Sequence, residues 1–155
     1  MADGREIALG VCLRGDAVLL LRREGPPWPG RWSLPGGKRE RGEGMADACR
    51  RELREELGGP VEVTALRVLI GQWGEPVEAA GGGAWVFAVF ACTMPAAAPL
   101  PRDCRWVRTG DLGELPMLPA DRAFVWDALR PGRWARFRRS RTRWDGAEPA
   151  LVAYE

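Results

Sequence analysis

The chain contains no histidine among its 155 residues. This absence excludes serine–histidine–aspartate and cysteine–histidine triads, zinc sites built on histidine, and general base catalysis by imidazole. Lysine is nearly missing as well, because Lys38 is the only lysine and the other basic residues are arginines. Any catalysis must therefore come from carboxylates, metal ions, arginine, or cysteine without a histidine partner.

Cysteine is scarce and shows no metal-binding or redox spacing. The chain has four cysteines and no C-x-x-C pair, so no zinc or dithiol site is predicted. Each cysteine lies among apolar residues, where a free thiol acts as a small hydrophobe, and a reduced, cytoplasmic protein is expected. The four are Cys12, Cys49, Cys92 and Cys104.

Long apolar runs and a strong net charge are also absent. The longest apolar stretch, around Ala84–Cys92, is too short to cross a bilayer, and no signal peptide is evident at the start of the chain. The net charge of +2 gives no strong signal for nucleic-acid binding. We expect no membrane association, a small-molecule partner, and a monomer or homodimer.

Apolar periodicity predicts an α/β (α+β) fold over residues 1–155 as one domain. The order is two strands, a loop, a helix, more strands and a second helix, which favours a mixed sheet between helices. Pro35-Gly36-Gly37 is interpreted as a sharp break in the chain. The predicted strands are Ile7–Leu13, Ala17–Leu21, Val61–Gln72, Ala84–Cys92 and Cys104–Val107, and the predicted helices are Gly44–Leu57 and Ala120–Leu129.

The segment from Arg130 to Arg143 contains seven arginines and no acidic residue. Such a segment could bind a polyanion or an acidic surface. A solvated segment is favoured over that alternative, and its packing on the domain through Trp134 and Phe137 is left open.

The informative feature is a cluster of carboxylates on the first predicted helix. Glu52, Glu55 and Glu56 are spaced by three and four residues and so share one helix face, beside the apolar Cys49/Leu53 stripe. Three neighbouring carboxylates repel one another, and a hard divalent cation such as Mg²⁺ would offset that repulsion. The alternative is a charged, solvated helix face with no ligand.

Residues around the cluster fit a metal site. Gly36 and Gly37 can bring bare backbone close to the carboxylates, and the carbonyl oxygen of Gly36 is a candidate extra metal ligand. Arg51 can hold a carboxylate in a fixed geometry through its forked guanidinium, and Glu43 is its candidate partner.

Residues 37–58 resemble the Nudix box, G-x5-E-x7-R-E-U-x-E-E-x-G-U, where U is a bulky apolar residue. The matching positions are Gly37, Glu43, Arg51-Glu52-Leu53, Glu55-Glu56 and Gly58. Gly59 departs from the pattern, because an apolar residue is usual there. That position has a packing role, so the departure bears on the end of the helix rather than on catalysis.

The resemblance implies an α/β/α sandwich in which the box forms a loop–helix–loop. It implies metal-assisted hydrolysis with one to three Mg²⁺ (or Mn²⁺) ions on Glu52, Glu55 and Glu56, with Arg51 and Glu43 orienting the cluster. Glu56 or Glu55 ranks first as general base, and Glu75, Glu78 and Glu114 are later candidates, of which Glu114 is an outside alternative.

The substrate is expected to be a nucleoside diphosphate linked to another moiety, such as ADP-ribose or a nucleotide sugar. The alternatives are a pyrophosphohydrolase for oxidised nucleoside triphosphates and a ligand-sensing module without catalysis. Candidate substrate-binding residues are Arg22, Arg23, Gly37 and Lys38. For Arg22 and Arg23, a solvated strand end is an equally weighted alternative. Core packing is favoured over base stacking for Trp28, Trp32, Trp73 and Trp85.

Overall fold

A computed structural model describes residues 5–25, 28–74, 83–95, 98–144 and 149–155. These residues form two α-helices and nine β-strands. The helices are α1 (Met45–Leu57) and α2 (Pro119–Leu129). The strands are β1 (Glu6–Arg14), β2 (Ala17–Arg22), β3 (Trp32–Ser33), β4 (Gly36–Lys38), β5 (Glu62–Gly74), β6 (Gly83–Thr93), β7 (Cys104–Arg108), β8 (Arg136–Trp144) and β9 (Pro149–Tyr154).

The described strands form one mixed sheet. Its main path runs β3-β2-β1-β6-β5-β8-β9, with β4 paired to β1 and β7 paired to β2. The pairs β1/β6 and β5/β8 are parallel, and the other pairs are antiparallel. Such a sheet is buried on both faces where helices cover it.

Each face of the sheet has its own apolar core. On one face, α1 buries Cys49 and Leu53 against β1 and β6. On the other face, α2 buries Phe124 and Val125 against β1, β5 and β6. This arrangement confirms the predicted α/β/α layering.

The predicted helices and strands are confirmed, with bounds shifted by one or two residues. The first helix forms because Ala48, Cys49, Leu53 and Leu57 place one buried stripe along it. It ends at Gly58, which adopts a left-handed conformation with φ 73° and donates its N–H to the carbonyl of Arg54.

The predicted break at Pro35-Gly36-Gly37 is wrong in part. Gly36–Lys38 is strand β4, and it pairs antiparallel with β1, with Gly36 opposite Leu9 and Gly37 opposite Ala8. Two adjacent glycines normally indicate a turn. Here they are required because β1 and α1 approach the strand too closely for a side chain.

The favoured interpretation of the arginine-rich segment as solvated is also wrong in part. Arg136–Trp144 is strand β8, which extends the sheet by pairing in parallel with β5. On the α2 face, Arg138 Nε lies 2.7 Å from Oδ2 of Asp127, which also accepts a 2.8 Å hydrogen bond from Tyr154 Oη. On the opposite face, Arg139 and Arg141 are exposed, so only alternate arginines are solvated.

The cysteines are free thiols, and three of the four are buried. The Sγ atoms of Cys49 and Cys92 lie 3.9 Å apart in the core beneath α1. The interpretation of these residues as apolar core residues is confirmed. Neither helix in the described residues has both the length and the apolar character that a membrane span requires.

Candidate active site

Two glycines bring the backbone of β4 against the carboxylates of α1. A Cβ added to Gly37 would lie 2.4 Å from Cδ of Glu52, and one added to Gly36 would lie 2.0 Å from the carbonyl oxygen of Ala8. Gly36 also has φ 146°, which L side chains rarely adopt. The glycine pair therefore lets the Glu52 carboxylate pack directly on bare backbone.

Glu56 is the most perturbed carboxylate of this cluster. Its Oε2 accepts a 2.9 Å hydrogen bond from the backbone N–H of Gly36. Burial, together with the smaller effect of the charges of Glu52 and Glu55, raises the pKa of Glu56 to about 7 despite the opposing hydrogen bond from that N–H. A buried carboxyl group with a raised pKa beside two other carboxylates is typical of a functional site.

Arg51 contacts both the glutamate cluster and the loop before α1. Its guanidinium binds Glu43 through two hydrogen bonds of 2.8 and 3.2 Å and donates to the carbonyl of Lys38 at 2.9 Å. It also donates to Oε1 of Glu52 at 3.0 Å. The hydrogen bond from Arg51 lowers the pKa of Glu43. The predicted Arg51–Glu43 pair is confirmed as a contact, and it links the loop before α1 to the carboxylate face.

Glu55 stands apart from the other two glutamates. Its side chain is 61% exposed, and its Oε1 lies 3.5 Å from Arg51 Nη1. It shares the helix face with Glu52 and Glu56, but it does not line the cavity described below. An exposed side chain of this length can turn toward a bound ion at little cost.

A divalent cation fits these residues. The donors are hard carboxylate and backbone oxygens, and a cation would stabilise the ionised form of Glu56, which burial and the charges of Glu52 and Glu55 disfavour. Among the described residues, no three acidic or thiol side chains already converge on one point. This suits Mg²⁺, which typically binds through one or two carboxylates and completes its shell with water and substrate phosphate oxygens.

The Glu56 carboxylate faces a cavity of about 1000 Å³ on the α2 face of the sheet. Glu56, Gly36, Gly37 and Lys38 line one end of it. Its remaining wall is largely apolar and aromatic, as binding sites for small molecules usually are. The aromatic residues that line it are Trp28, Trp85 and Phe87.

The structure separates the two arginines that the sequence grouped as substrate contacts. Arg23 lines the cavity. Arg22 does not, because its side chain is about half exposed and its Nη2 lies 3.3 Å from Oδ1 of Asp103. Lys38 lines the cavity with an exposed side chain, so three of the four candidate contacts reach it: Arg23, Gly37 and Lys38.

The later candidates for the general base gain no support. Glu114 is exposed and does not line the cavity. Glu75 and Glu78 lie outside the described residues.

The tryptophans divide between core and cavity. Trp32 is partly buried and packs on the core, as predicted. Trp28 and Trp85 line the cavity instead, which fits the alternative of base stacking. The side chain of Trp73 lies outside the described residues.

Sequence analysis missed several polar residues of the cavity wall, among them Asp121, Gln72 and Thr142. Asp121 is 7% exposed, and its Oδ2 accepts a 2.9 Å hydrogen bond from the N–H of Leu34. Burial raises its pKa to about 6. No local spacing in the sequence connects these three residues, which lie on α2, β5 and β8.

Comparison with known proteins identifies the family. The model of the NUDIX domain matches residues 4–127. A putative 8-oxo-dGTP diphosphatase 2 of Mycobacterium tuberculosis is 34% identical over 128 residues, which cover 80% of this chain and 87% of that protein. An ADP-ribose pyrophosphatase of Methanocaldococcus jannaschii is 27% identical over 72% of this chain and 64% of that protein.

The fold agrees with this assignment. The crystal structure of a MutT protein from Bacillus halodurans superimposes with a TM-score of 0.70, covering 97% of this chain and 95% of that one at 24% identity. Relatives of this chain are named as diphosphatases and pyrophosphatases, and the family generally uses divalent metal cations. The chain belongs to the Nudix hydrolase family.

Proposed function

We propose that this protein hydrolyses a phosphoric anhydride bond of a nucleoside polyphosphate with the aid of Mg²⁺ or Mn²⁺. The observation that carries the proposal is the position of Glu52 and Glu56. Both carboxylates lie against the Gly36-Gly37 backbone, and Glu56 stands at one end of a cavity whose wall is largely aromatic and apolar. This pairs a metal-binding end with an apolar wall that suits a nucleoside.

The proposed metal ligands are Glu52, Glu55, Glu56 and the carbonyl oxygen of Gly36. A bound divalent cation supplies charge neutralisation at the diphosphate and lowers the pKa of water. Arg51 and Glu43 orient the carboxylates, since Arg51 contacts both Glu43 and Glu52. Lys38 and Arg23 are proposed to bind phosphate oxygens, because both line the cavity.

Glu56 is the favoured general base. It lines the cavity, where a carboxylate can accept a proton from an attacking water. Glu55 is the second candidate, because its side chain is exposed and lies outside the cavity wall. In either case the proton leaves the water as its oxygen attacks phosphorus in line with the leaving phosphate oxygen.

A nucleoside triphosphate is the favoured substrate class, with release of a nucleoside monophosphate and pyrophosphate. The relative named 8-oxo-dGTP diphosphatase is more similar and spans more of this chain than the relative named ADP-ribose pyrophosphatase. This reverses the order predicted from sequence. Hydrolysis of ADP-ribose or a nucleotide sugar stays the second candidate.

The whole chain is proposed to act as one unit. Strand β8 continues the sheet from β5, and Thr142, Pro149 and Ala150 of the last two strands line the same cavity. The C-terminal segment therefore contributes to the site rather than forming a separate body.

The test is a screen of nucleoside triphosphates, ADP-ribose and nucleotide sugars with Mg²⁺ and with Mn²⁺. Chromatography of the products identifies the bond that is cut: monophosphate with pyrophosphate from a triphosphate, or AMP with ribose 5-phosphate from ADP-ribose. We expect turnover of at least one triphosphate and its loss in excess EDTA. Full turnover in EDTA contradicts the metal mechanism, and nucleotide binding without turnover supports the sensing module.

A further inference from the structure

The C-terminal strands add a wall to the cavity from outside the region that the family model matches. The match ends at residue 127, whereas β8 and β9 span Arg136–Trp144 and Pro149–Tyr154. Thr142 of β8 lines the cavity together with Gln72 of β5 and Trp85 of β6. The pairing of β8 with β5 thus places a residue of the C-terminal strands in the candidate site.

Cross-strand register brings these side chains together. Trp85 lies opposite Gln72 in the β5/β6 pair, and Gln72 lies opposite Ser140 in the β5/β8 pair. Thr142 follows Ser140 by two residues on the same strand and so shares its face of the sheet. Three neighbouring strands therefore present one polar row on an otherwise apolar wall.

Two polar groups of this row lack protein partners. Among the described residues, the buried indole Nε1 of Trp85 and the buried hydroxyl of Thr142 have no hydrogen-bond partner. Ser140 Oγ donates to Gln72 Oε1 at 3.0 Å, which fixes the carboxamide and leaves its NH₂ group as a donor. Buried polar groups in folded proteins are nearly always paired, so an occupant of the cavity is the expected partner.

The row consists of uncharged hydrogen-bond donors, and this determines which ligands it can bind. The indole and the carboxamide NH₂ donate hydrogen bonds, and the hydroxyl of Thr142 can donate as well. All three groups are uncharged, and Trp85 and Phe87 provide aromatic faces in the same cavity. A flat, neutral ring that carries carbonyl acceptors matches both properties.

The row and Glu56 line the same cavity. Gly36, which bonds Glu56, is level with Leu9 of β1 and with Val89 of β6. Trp85 lies four residues further along β6, so at about 4.8 Å per strand and about 3.3 Å per residue it is roughly 16 Å from Gly36. An extended nucleoside triphosphate whose terminal phosphates lie near Glu56 would bring its base toward the Trp85 end of the row.

We propose that Gln72, Trp85 and Thr142 form a donor-lined subsite that selects nucleobases with a ring carbonyl over adenine. The proposal rests on the proposed function for the placement of the phosphates, but base selection is measurable without turnover. Hypoxanthine and adenine make a minimal pair, because they differ at position 6, where one carries a carbonyl and the other an amino group.

The experiment is calorimetric titration of the full chain with IMP and with AMP in EDTA. We expect IMP to bind at least about tenfold more tightly than AMP to the unsubstituted protein. A protein donor that faces the 6-amino group of adenine would stay unpaired, whereas it would bond to the 6-carbonyl of hypoxanthine. Thr142→Val should bring the IMP/AMP affinity ratio closer to one. Its melting temperature should hold or rise, because the substitution removes a buried hydroxyl without a partner.

Arg141→Ala is the matched control, since Arg141 is the neighbouring residue on β8 and is exposed on the opposite face. Its affinity ratio should equal that of the unsubstituted protein. Equal affinities for IMP and AMP, no measurable binding of either, or an unchanged ratio in Thr142→Val overturns the subsite. If IMP is preferred but no nucleotide is hydrolysed, the proposed function fails while the subsite stands. Hydrolysis without base preference overturns the subsite and leaves the proposed function standing.

Discussion

The backbone N–H of Gly36 donates a 2.9 Å hydrogen bond to Oε2 of Glu56, and this contact ties strand β4 to the carboxylate face of helix α1. The next residue, Gly37, packs on the carboxylate of Glu52. Two consecutive glycines therefore set the position of two consecutive turns of the helix. The site depends on this backbone approach as much as on the glutamates themselves.

Gly37→Ala tests that approach. Its Cβ would lie 2.4 Å from Glu52 Cδ, so the carboxylate must move away from the backbone. We expect kcat/KM with Mg²⁺ to fall by about ten- to a hundredfold, the range typical for misplaced metal ligands. Because the group that moves is the end of a flexible side chain, the melting temperature should change little.

Gly71→Ala is the matched control, because nothing lies within 4 Å of a Cβ at that strand position. It should keep the rate of the unsubstituted protein. Equal rates in Gly37→Ala and Gly71→Ala would show that the position of Glu52 does not matter for catalysis.

Arg51→Lys tests the orientation of the cluster. Arginine reaches Glu43 with two hydrogen bonds while also contacting Glu52 and the carbonyl of Lys38. Lysine keeps the charge but cannot reproduce the forked geometry. We expect an increase in the Mg²⁺ concentration needed for half-maximal rate, together with a roughly ten- to hundredfold lower kcat/KM.

A metal titration of the rate separates this role from a general loss of stability. The conservative Arg50→Lys serves as control, because Arg50 pairs only with the exposed Asp47 among the described residues. An unchanged metal dependence in Arg51→Lys would remove its orienting role.

The raised pKa of Asp121 predicts that the stability of the nucleotide-free protein depends on pH. Burial raises its pKa from 3.8 to about 6, although the N–H of Leu34 and the charge of Arg23 act in the opposite direction. Between these values the folded protein keeps a proton that the unfolded chain has lost, so stability from this group falls as pH rises from about 4 to about 6. The difference corresponds to roughly 3 kcal/mol.

Asp121→Asn removes this ionisation and can still accept the hydrogen bond from Leu34. Its melting temperature, relative to the unsubstituted protein, should therefore rise between pH 4 and pH 7. Thermal melts across that range, with the exposed Asp111→Asn measured in parallel, provide the check. A stability difference that does not change with pH would show that the carboxyl group titrates normally.

The elements that the sequence predicted share a clear periodic pattern. The apolar stripe of helix α1 and the glycine that ends it, Gly58, are both readable in the sequence. The predicted helix therefore differs from the observed one by a single residue at its start. Strand β8 was missed because its inward-facing positions include Arg136 and Arg138, which are partly buried and pair with Asp127 of α2. A half-buried strand with charged residues on both faces lacks the alternation that identifies strands.

The part of the site that could be predicted is the part formed by residues close together in the sequence. Glu52, Glu55 and Glu56 come together through helical spacing, which is readable in the sequence. Gln72, Trp85 and Thr142 come together only through the pairing of β5 with β6 and β8. Such tertiary neighbours, separated by up to 70 residues in the chain, leave no spacing pattern in a single sequence.

The most direct test of catalysis by the glutamate cluster is Glu56→Gln, measured for both rate and stability. Glutamine can still accept the hydrogen bond from Gly36, so the change removes charge while keeping shape. We predict that kcat/KM with Mg²⁺ falls at least about a hundredfold, a barrier increase of about 2.7 kcal/mol. The melting temperature in EDTA at pH 8 should hold or rise, because a crowded, buried charge is removed. A near-unchanged rate with a lower melting temperature would contradict the catalytic role and leave the glutamate cluster with a structural role alone.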